Sequence, residues 1–546
     1  MDAKEICELW STLESERAEI KNRWEKVVDL FMTGHGGVYG ETTMQQLDVK
    51  QLDRTGADAL RDYAAGMFSN TINPSRPWFT LRVSSPEFRD NKTAQDEICK
   101  RGKDLHRVLQ NSNLEMVLPI AFTHHGGFGT GIVYQDVVDG KFRFQSYTPV
   151  DCNICENEHG IIDTLVRKFK YTNKQAYGRW GDDCPESVCK AMKSNDPKKA
   201  MESKTYYHCV SPRTDAVMGA IDKKNKPFAS YYVCADTKDI VEEGGYDLFP
   251  YYVFRGYRFD SCVWGQSPAM THVDTQLMLC KVAADMAQFA ESGIRPPMFF
   301  DDEETVRNNN ISLAPSSINY YRSTNGKPPV LAYPAQGVYE PTLRFYSQYV
   351  KVIRDAFFAD LFLQETEAPD MTATEVLERK NERLSRIAPI AAQTETELYR
   401  ALVERSFYLA VENKMIDEMP EQFKGSDFEI HYTSRLSSML SRNEIQSSLQ
   451  AFMEAASVAE GIANLPLLAE NIDGDKFIQE IFEANNVDPD LTRSEKAIAD
   501  IRAAKAEAEE RMRQEEIQSR SVKPIDPNQS VQEGSLVKEM QEAQGA

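Results

Sequence analysis

Apolar side chains at Leu9, Leu13, Ile20, Trp24, Val27, Val28 and Phe31 recur close to helical spacing, so the first thirty residues read as helix. A second helix is predicted from about Asp53 to Asn70, with small residues gathered on one face for close packing. Prolines in INPSRPWFTLRV end it and lead into an alternating strand. From Gly127 to about Arg258 the pattern is mainly antiparallel strand, rich in Val, Ile, Tyr and Phe, with helices near Asn173–Trp180 and Glu186–Met192. At Trp264 it returns to helix: Ser267 is an N-cap and Pro268 the first helical residue of a segment running to Gly293. A Pro- and Asn-dense insertion separates this helix from a second, from about Pro341 to Leu363, and the polar stretch Gln364–Asp370 follows. Thr372-Ala373-Thr374-Glu375 is a capping box. It opens a long helix with apolar residues at Leu377, Leu384, Ile387, Leu398, Leu402 and Leu409, bent at Pro389. After a strand in FEIHYTSRL, residues 438–490 read as shorter helices, and Thr492-Arg493-Ser494-Glu495 caps another. Nothing aromatic follows Phe482, so the last thirty residues read as a mobile tail.

With 41% apolar and 10% aromatic residues the 546-residue chain can fill more than one core. Its 84 acidic against 63 basic residues give a formal charge of −21. That balance argues against a generic duplex-gripping protein, whose grip comes from Lys and Arg displacing counterions. No apolar run reaches the roughly 20 residues of a membrane span, and Met1–Trp10 carries acids where a signal peptide has bases. An intracellular protein with reduced thiols is the expectation for its ten scattered cysteines.

Candidate chemistry is sparse. Trp264-Gly265-Gln266-Ser267-Pro268-Ala269 sits where a serine-hydrolase elbow would, with His124-His125-Gly126-Gly127 as an upstream oxyanion loop, yet Ala and Pro break the G-x-S-x-G pattern and an N-cap already explains Ser267. Cys152, Cys155 and His159 have metal-ligand spacing, with Cys184, Cys189, His208 and Cys209 as further ligands, but no second close pair completes a zinc ribbon. There is no phosphate-binding G-x-x-x-x-G-K-[ST] loop and no H-E-x-x-H. Gly126, Gly127, Gly129 and Gly131 read as a tight turn before a strand, and Asp301-Asp302-Glu303-Glu304 as a solvated turn. The expectation is an α+β protein that is not an enzyme and holds no metal or cofactor; a hydrolase using Ser267 and a zinc-stabilised adaptor using Cys152 and Cys155 are the alternatives.

Four stretches carry a family resemblance: GADALRDYAAGMFSNTINPSRPWFTL, GFGTGIVYQD with SYTPVDCNICENEHGIIDTLVRKF, FPYYVFRGYRFDSCVWGQSPAM, and MTATEVLERKNERLSRIAPIAAQTETELYRALVERSFYLA. Over about residues 10–435 the chain resembles the portal, or head-to-tail connector, proteins of short-tailed bacteriophages. The resemblance implies a portal fold with wing, stem, clip and helical crown, assembled as a cyclic ring, usually of twelve. It implies a wing at 1–265, stem helices at 266–292 and 341–363, a clip at 293–340, a tunnel loop at 364–371, a long bent wing helix at 372–425, a crown at 426–495 and a C-terminal helix and tail at 496–546. Implied partners are further copies of itself, the major capsid and scaffolding proteins, the terminase large subunit, tail adaptor proteins, and double-stranded DNA passing without sequence specificity; no membrane is implied. Such a protein is made in the host bacterial cytoplasm and resides in the virion at the capsid vertex.

A sliding channel fails if its wall collects many simultaneous phosphate contacts, and an acidic chain with few basic positions suits it. Lys281, Lys351 and Arg354 on the stem helices are the candidate phosphate-facing positions. The candidate tunnel loop is Gln364, Glu365, Thr366, Glu367, Ala368, Pro369 and Asp370, whose acids repel phosphate while the proline limits flexibility. Met298, Phe299, Phe300, Tyr320 and Tyr321 form the candidate clip docking surface, and Leu277, Leu279, Val282, Tyr346, Val352 and Phe357 are expected to pack across the subunit boundary.

Overall fold

The computed structural model describes residues 1–32, 53–72, 77–85, 92–194, 196–216, 222–258, 262–295, 298–301, 312, 316–321, 339–359, 386–418, 420, 428–432, 453 and 495–521. They fall in two compact units, Met1–Ser447 and Ser448–Ala546. In the second, the described element is one helix, Glu495–Ser521, where the capping sequence predicts it.

The first unit begins with α1 (Ala3–Glu16) and α2 (Ala18–Phe31), two helices where the apolar spacing suggests one. The break is at Arg17, whose buried guanidinium leaves the helix axis to donate to the carbonyls of Pro149 and Cys152, among the rings of Trp10, Trp24 and Trp264. Helix α3 (Thr55–Thr71) uses its small residues as expected, packing on a helix to which the periodicity assigns nothing. Residues 92–128 form α4 (Lys92–Gln110) and α5 (Leu114–Phe128). Helix α5 crosses α3 so closely that a Cβ on Gly126 would stand 2.7 Å from Leu60 and Tyr63. It ends at Gly129, whose φ is +77° and where a Cβ would stand 2.1 Å from the Gly265 carbonyl oxygen, so that only glycine fits.

After β1 (Phe79–Val83), two antiparallel sheets form the centre. One has the order β3-β2-β9, from β2 (Thr130–Val138), β3 (Lys141–Tyr147) and β9 (Tyr251–Arg255). The other is a meander of β4 (Cys152–Glu156), β5 (Ile162–Thr172), β6 (Ser203–Pro212), β7 (Phe228–Cys234) and β8 (Ile240–Tyr246). Three short helices, α6 (Asn173–Trp180), α7 (Glu186–Lys193) and α8 (Pro197–Met201), are inserted between β5 and β6. The sheets meet through a polar aromatic seam. Tyr134 Oη lies 2.9 Å from Tyr246 Oη, and His208, stacked on Tyr232 at 4.1 Å, is hydrogen-bonded to Tyr251 and Ser230. Burial holds His208 neutral, its pKa well below the usual imidazole value.

Beyond the sheets, α9 (Pro268–Thr271) and α10 (Val273–Ile294) are separated at His272, so the predicted long helix has a joint near its start. Strands β10 (Met298–Asp301) and β11 (Ile318–Tyr321) pair in parallel, and α11 spans Tyr339–Ala356. The predicted bent helix is described from residue 386. It widens into a π turn at Glu395–Arg400 and ends at Glu412, where Lys414 in the left-handed region turns the chain so that Ile416 re-enters the core. The predicted strand in FEIHYTSRL is β12 (Phe428–Tyr432), antiparallel to β1. This strand lies in the first unit, where Phe428, Ile430 and Tyr432 pack half-buried against the main core.

Candidate functional site

Helices α10 and α11 pack side by side, and each is buried at one end only. On α10 the buried residues are Val273, Gln276, Leu279 and Cys280; on α11 Ile353, with Phe357 just beyond it, is buried. The N-terminal end of one and the C-terminal end of the other therefore rest on the core, so the helices run in opposite senses. Phe357 explains the second contact, its ring lying 5.8 Å from Phe31 and 6.2 Å from Tyr63.

The polar core of the anchor is Asp53, just ahead of α3. Its Oδ1 caps the helix by accepting from Thr55 N at 2.9 Å. Gln276 Nε2 donates to the Asp53 carbonyl at 3.1 Å and to Oδ1 at 3.2 Å, while Gln276 Oε1 accepts from Gly56 N at 3.1 Å. Tyr346 Oη donates to Asp53 Oδ2. One carboxylate thus ties α3, α10 and α11 together. Desolvation, with the neighbouring carboxylate, pushes the Tyr346 phenol up to about 12, so it remains a donor at any physiological pH.

Past the anchor the pair is exposed. Lys281 lies on the open face of α10, four residues after Leu277 and four before Asp285, all three exposed. On α11 Lys351 is exposed and Arg354 half-buried. The exposed apolar groups are Leu277, Met278, Phe289 and Ile294 on α10 and Leu343, Phe345 and Val352 on α11. The expected inter-subunit set therefore splits. Leu279 and Phe357 are buried inside their own chain, and Tyr346 is committed to Asp53, because the two helices bury their near ends on α2 and α3; Leu277 and Val352, 56% and 41% exposed, remain available to another molecule.

Of the candidate docking residues, Met298 is exposed, and the register places Phe300 opposite Tyr320 and Asp301 opposite Tyr321. Gln364 to Asp370 lie outside the described residues.

The hydrolase pattern resolves into packing. Its two segments do meet, but Ser267 Oγ donates to the Gly127 carbonyl at 2.7 Å and accepts from Met270 N at 3.0 Å, capping both α5 and α9. His125 Nδ1 is 2.9 Å from Tyr63 Oη instead of any serine, and desolvation lowers its pKa to about 4. His124-His125-Gly126-Gly127 is the buried last turn of a helix, not a loop. The cysteine pattern also disperses: Cys152 lies in the main core, Cys209 in the cluster under α1, and Cys184 and Cys189 in or against a third under α6 and α7. Among the described residues no three His, Cys, Asp or Glu converge as metal ligands, and no helix is long and apolar enough to cross a membrane.

The family described as "Bacteriophage head to tail connecting protein" matches residues 3–492. A "Probable portal protein" of Bordetella phage BPP-1 is 26% identical over 532 residues, covering 94% of this chain and 93% of that protein. A "Portal protein" of Salmonella phage epsilon15 is 26% identical over 513 residues, covering 90% and 89%.

Proposed function

The chain belongs to the bacteriophage head to tail connecting proteins, and from that premise we propose that it is the portal of a phage particle: the DNA channel at the capsid vertex and the platform for tail attachment. The observation that carries this reading is the family match over nearly the whole chain, together with a helix pair anchored at one end and apolar on its free faces. Copies close into a ring, usually of twelve, through heterologous contacts between neighbouring helix pairs. In that ring residues 266–292 and 341–363 are the stem, 293–340 the clip, 364–371 the tunnel loop, and the central sheets part of the wing. Lys281, Lys351 and Arg354 line the channel as sparse cationic positions, and the acids of Gln364–Asp370 keep phosphate moving. The surface around Met298, Phe299, Phe300, Tyr320 and Tyr321 receives the terminase large subunit during packaging and tail adaptors afterwards, while capsid and scaffolding proteins surround the ring.

The test is native mass spectrometry with low-resolution electron microscopy. The expected result is an open ring about twelve times the 62.0 kDa chain mass. A compact closed dimer or tetramer at assembly concentration overturns the reading. For the channel wall, Lys351→Glu with Arg354→Glu is expected to leave the ring intact and impair packaging or retention of DNA; normal packaging in that variant rejects their role.

A further inference from the structure

The chain's negative charge is unevenly spread. Residues 151–258 carry 17 Lys and Arg against 16 Asp and Glu, so the chain's negative charge resides wholly elsewhere. Within that region the basic groups concentrate on one feature, the three short helices between β5 and β6. Residues 168–204 hold nine basic and five acidic side chains.

Helices α6, α7 and α8 pack against one another, and the chain between them is pinned by Asn173, whose N and Nδ2 donate to the carbonyls of Glu202 (2.9 Å) and Lys199 (2.8 Å). Lys204 Nζ reaches Ser187 Oγ on α7. Lys174, Lys190, Lys193, Lys198 and Lys199 are all exposed on this assembly. The acids there are partly committed. Glu186 pairs with Lys190 at 2.8 Å, Asp196 Oδ1 caps α8 through Lys198 N at 3.0 Å, and Asp182 accepts from Tyr177 Oη at 3.4 Å. Among the described residues Lys174, Lys193, Lys198 and Lys199 take part in no ion pair.

We infer that the α6–α8 face is a second, sequence-independent contact surface for double-stranded DNA, lying on the central sheet region and separate from the α10–α11 pair. Two physical points select this partner. Protein interfaces are depleted in Lys and enriched in Arg and aromatic groups, whereas this face exposes lysines. Its arginine, Arg179, is already held over Tyr232 at 4.3 Å and beside Glu242 at 3.6 Å. Flexible ammonium groups suit a repeating polyanion whose grip comes from counterion release and needs no fixed geometry. The chain's overall charge does not forbid this, because screening over about 8 Å at physiological salt lets local charge decide. The inference goes beyond the channel reading, and its failure leaves that reading in place.

A covalently closed DNA minicircle separates the two sites, since it has no end to enter a channel. Binding of the full-length protein to such a circle, followed by fluorescence anisotropy over a salt series, is compared with the Lys193→Glu, Lys198→Glu, Lys199→Glu triple variant. The substituted side chains are exposed and unpaired, and circular dichroism with native mass checks that fold and assembly are kept. The triple variant is expected to lose roughly tenfold or more in affinity at low salt and to lower the salt slope by about 3. Lys351→Glu with Arg354→Glu is expected to keep circle binding. Undiminished binding by the triple variant overturns the inference. Competition by polyglutamate as effective as by DNA, charge for charge, also overturns it and identifies a dock for an acidic protein instead.

Discussion

The central sheets and the α10–α11 pair solve opposite problems. Around the sheets, polar groups are matched within the chain: His208 with Tyr251 and Ser230 between them, and Tyr252 with Gln135 inside the three-stranded sheet, Gln135 in turn reaching Ser406 of the helix that follows the π turn at 2.9 Å. The seam is specified down to single hydrogen bonds and needs no neighbour. Among the described residues the helix pair is tied to the core at its base, by Asp53, and beyond that Leu277, Met278, Phe345 and Val352 are exposed. Exposed apolar faces of this kind mark association surfaces. A fold that buries its polar groups at one place and exposes apolar ones at another fits the ring subunit proposed above.

The sharpest way to break the self-sufficient half is at Arg255. Its side chain, 3% exposed, is paired with Glu156 on β4 and with Glu397 at 2.6 Å, and its own backbone N donates to Glu397 at 2.7 Å. The π turn at Glu395–Arg400 carries Glu397 to this position. Arg255→Met leaves Glu397 facing a dry junction without its cation and Glu156 with Arg258 alone, at 2.7 Å, and removal of one partner of a buried pair costs about 3–5 kcal/mol. Urea unfolding of the variant is expected to show that loss; a change under 1 kcal/mol would contradict the buried network. Glu397→Gln keeps the shape and is expected to lose less.

Next in size is a dependence on pH from the same half. His125 sits between Tyr63 and the ring of Phe254, 5.2 Å away, with its folded pKa at about 4. An unfolded histidine titrates near 6.5, so between those values the unfolded state binds more protons and stability rises with pH. The contribution is complete above about 6.5 and falls by about 3 kcal/mol as pH drops to 4. His106, His208 and His272 are shifted the same way by burial, while Asp151, Glu395 and Glu404, raised by burial, oppose the trend in the carboxylate range. Comparison with His125→Gln isolates the single group: its melting temperature is expected to vary less between pH 4 and 6.5, and parallel curves would remove His125 as the source.

The two halves were also unequally legible in the sequence. Helices α6 and α7, the caps Ser267 and Pro268, and the strand at 428–432 all follow from local signals. Helices α4 and α5 do not. Helix α5 is apolar nearly all round and contains Pro119 and two glycines, so it offers no amphipathic period, and its glycines serve close packing, Gly126 on α3 and Gly127 on Met32, in place of a turn. Helix α4 did carry a signal, Ala94, Ile98, Leu105 and Leu109 at helical spacing among charges, and all four are buried. At the helix pair the error was different. Periodicity identified apolar residues correctly but could not say whether Leu279 and Phe357 face their own chain or another, because that depends on contacts with Phe31 and Tyr63 far away in sequence. The Asp53–Gln276–Tyr346 anchor was invisible for the same reason, since Asp53 stands 223 residues from Gln276 and 293 from Tyr346.

That anchor supplies the third prediction. Tyr346→Phe removes one donor to Asp53 but leaves the two from Gln276 and the cap to Thr55, so a loss of about 1–2 kcal/mol is expected. Hydrogen exchange is the more telling readout. Amides of α11 should exchange faster while those of the central sheets keep their protection, and uniform loosening of both regions would mean that the anchor is not a local joint.

The smallest effect on the folded subunit should come from the exposed face, and there the comparison between the two halves is sharpest. Leu277→Ser with Val352→Ser removes apolar groups already in contact with water, so the isolated chain should change in stability by no more than about 0.5 kcal/mol. If these faces are completed by another copy, each substitution withdraws apolar surface at every interface of a closed ring, and the small cost per site is repeated around the circle. Dissociation measured by native mass spectrometry across a dilution series is therefore expected to shift to higher protein concentration, while urea unfolding of the dissociated chain is unchanged. A large loss of subunit stability would mean the side chains are packed within their own chain. Unchanged assembly would mean that the exposed stripe is not the seam, and that copies join through another face.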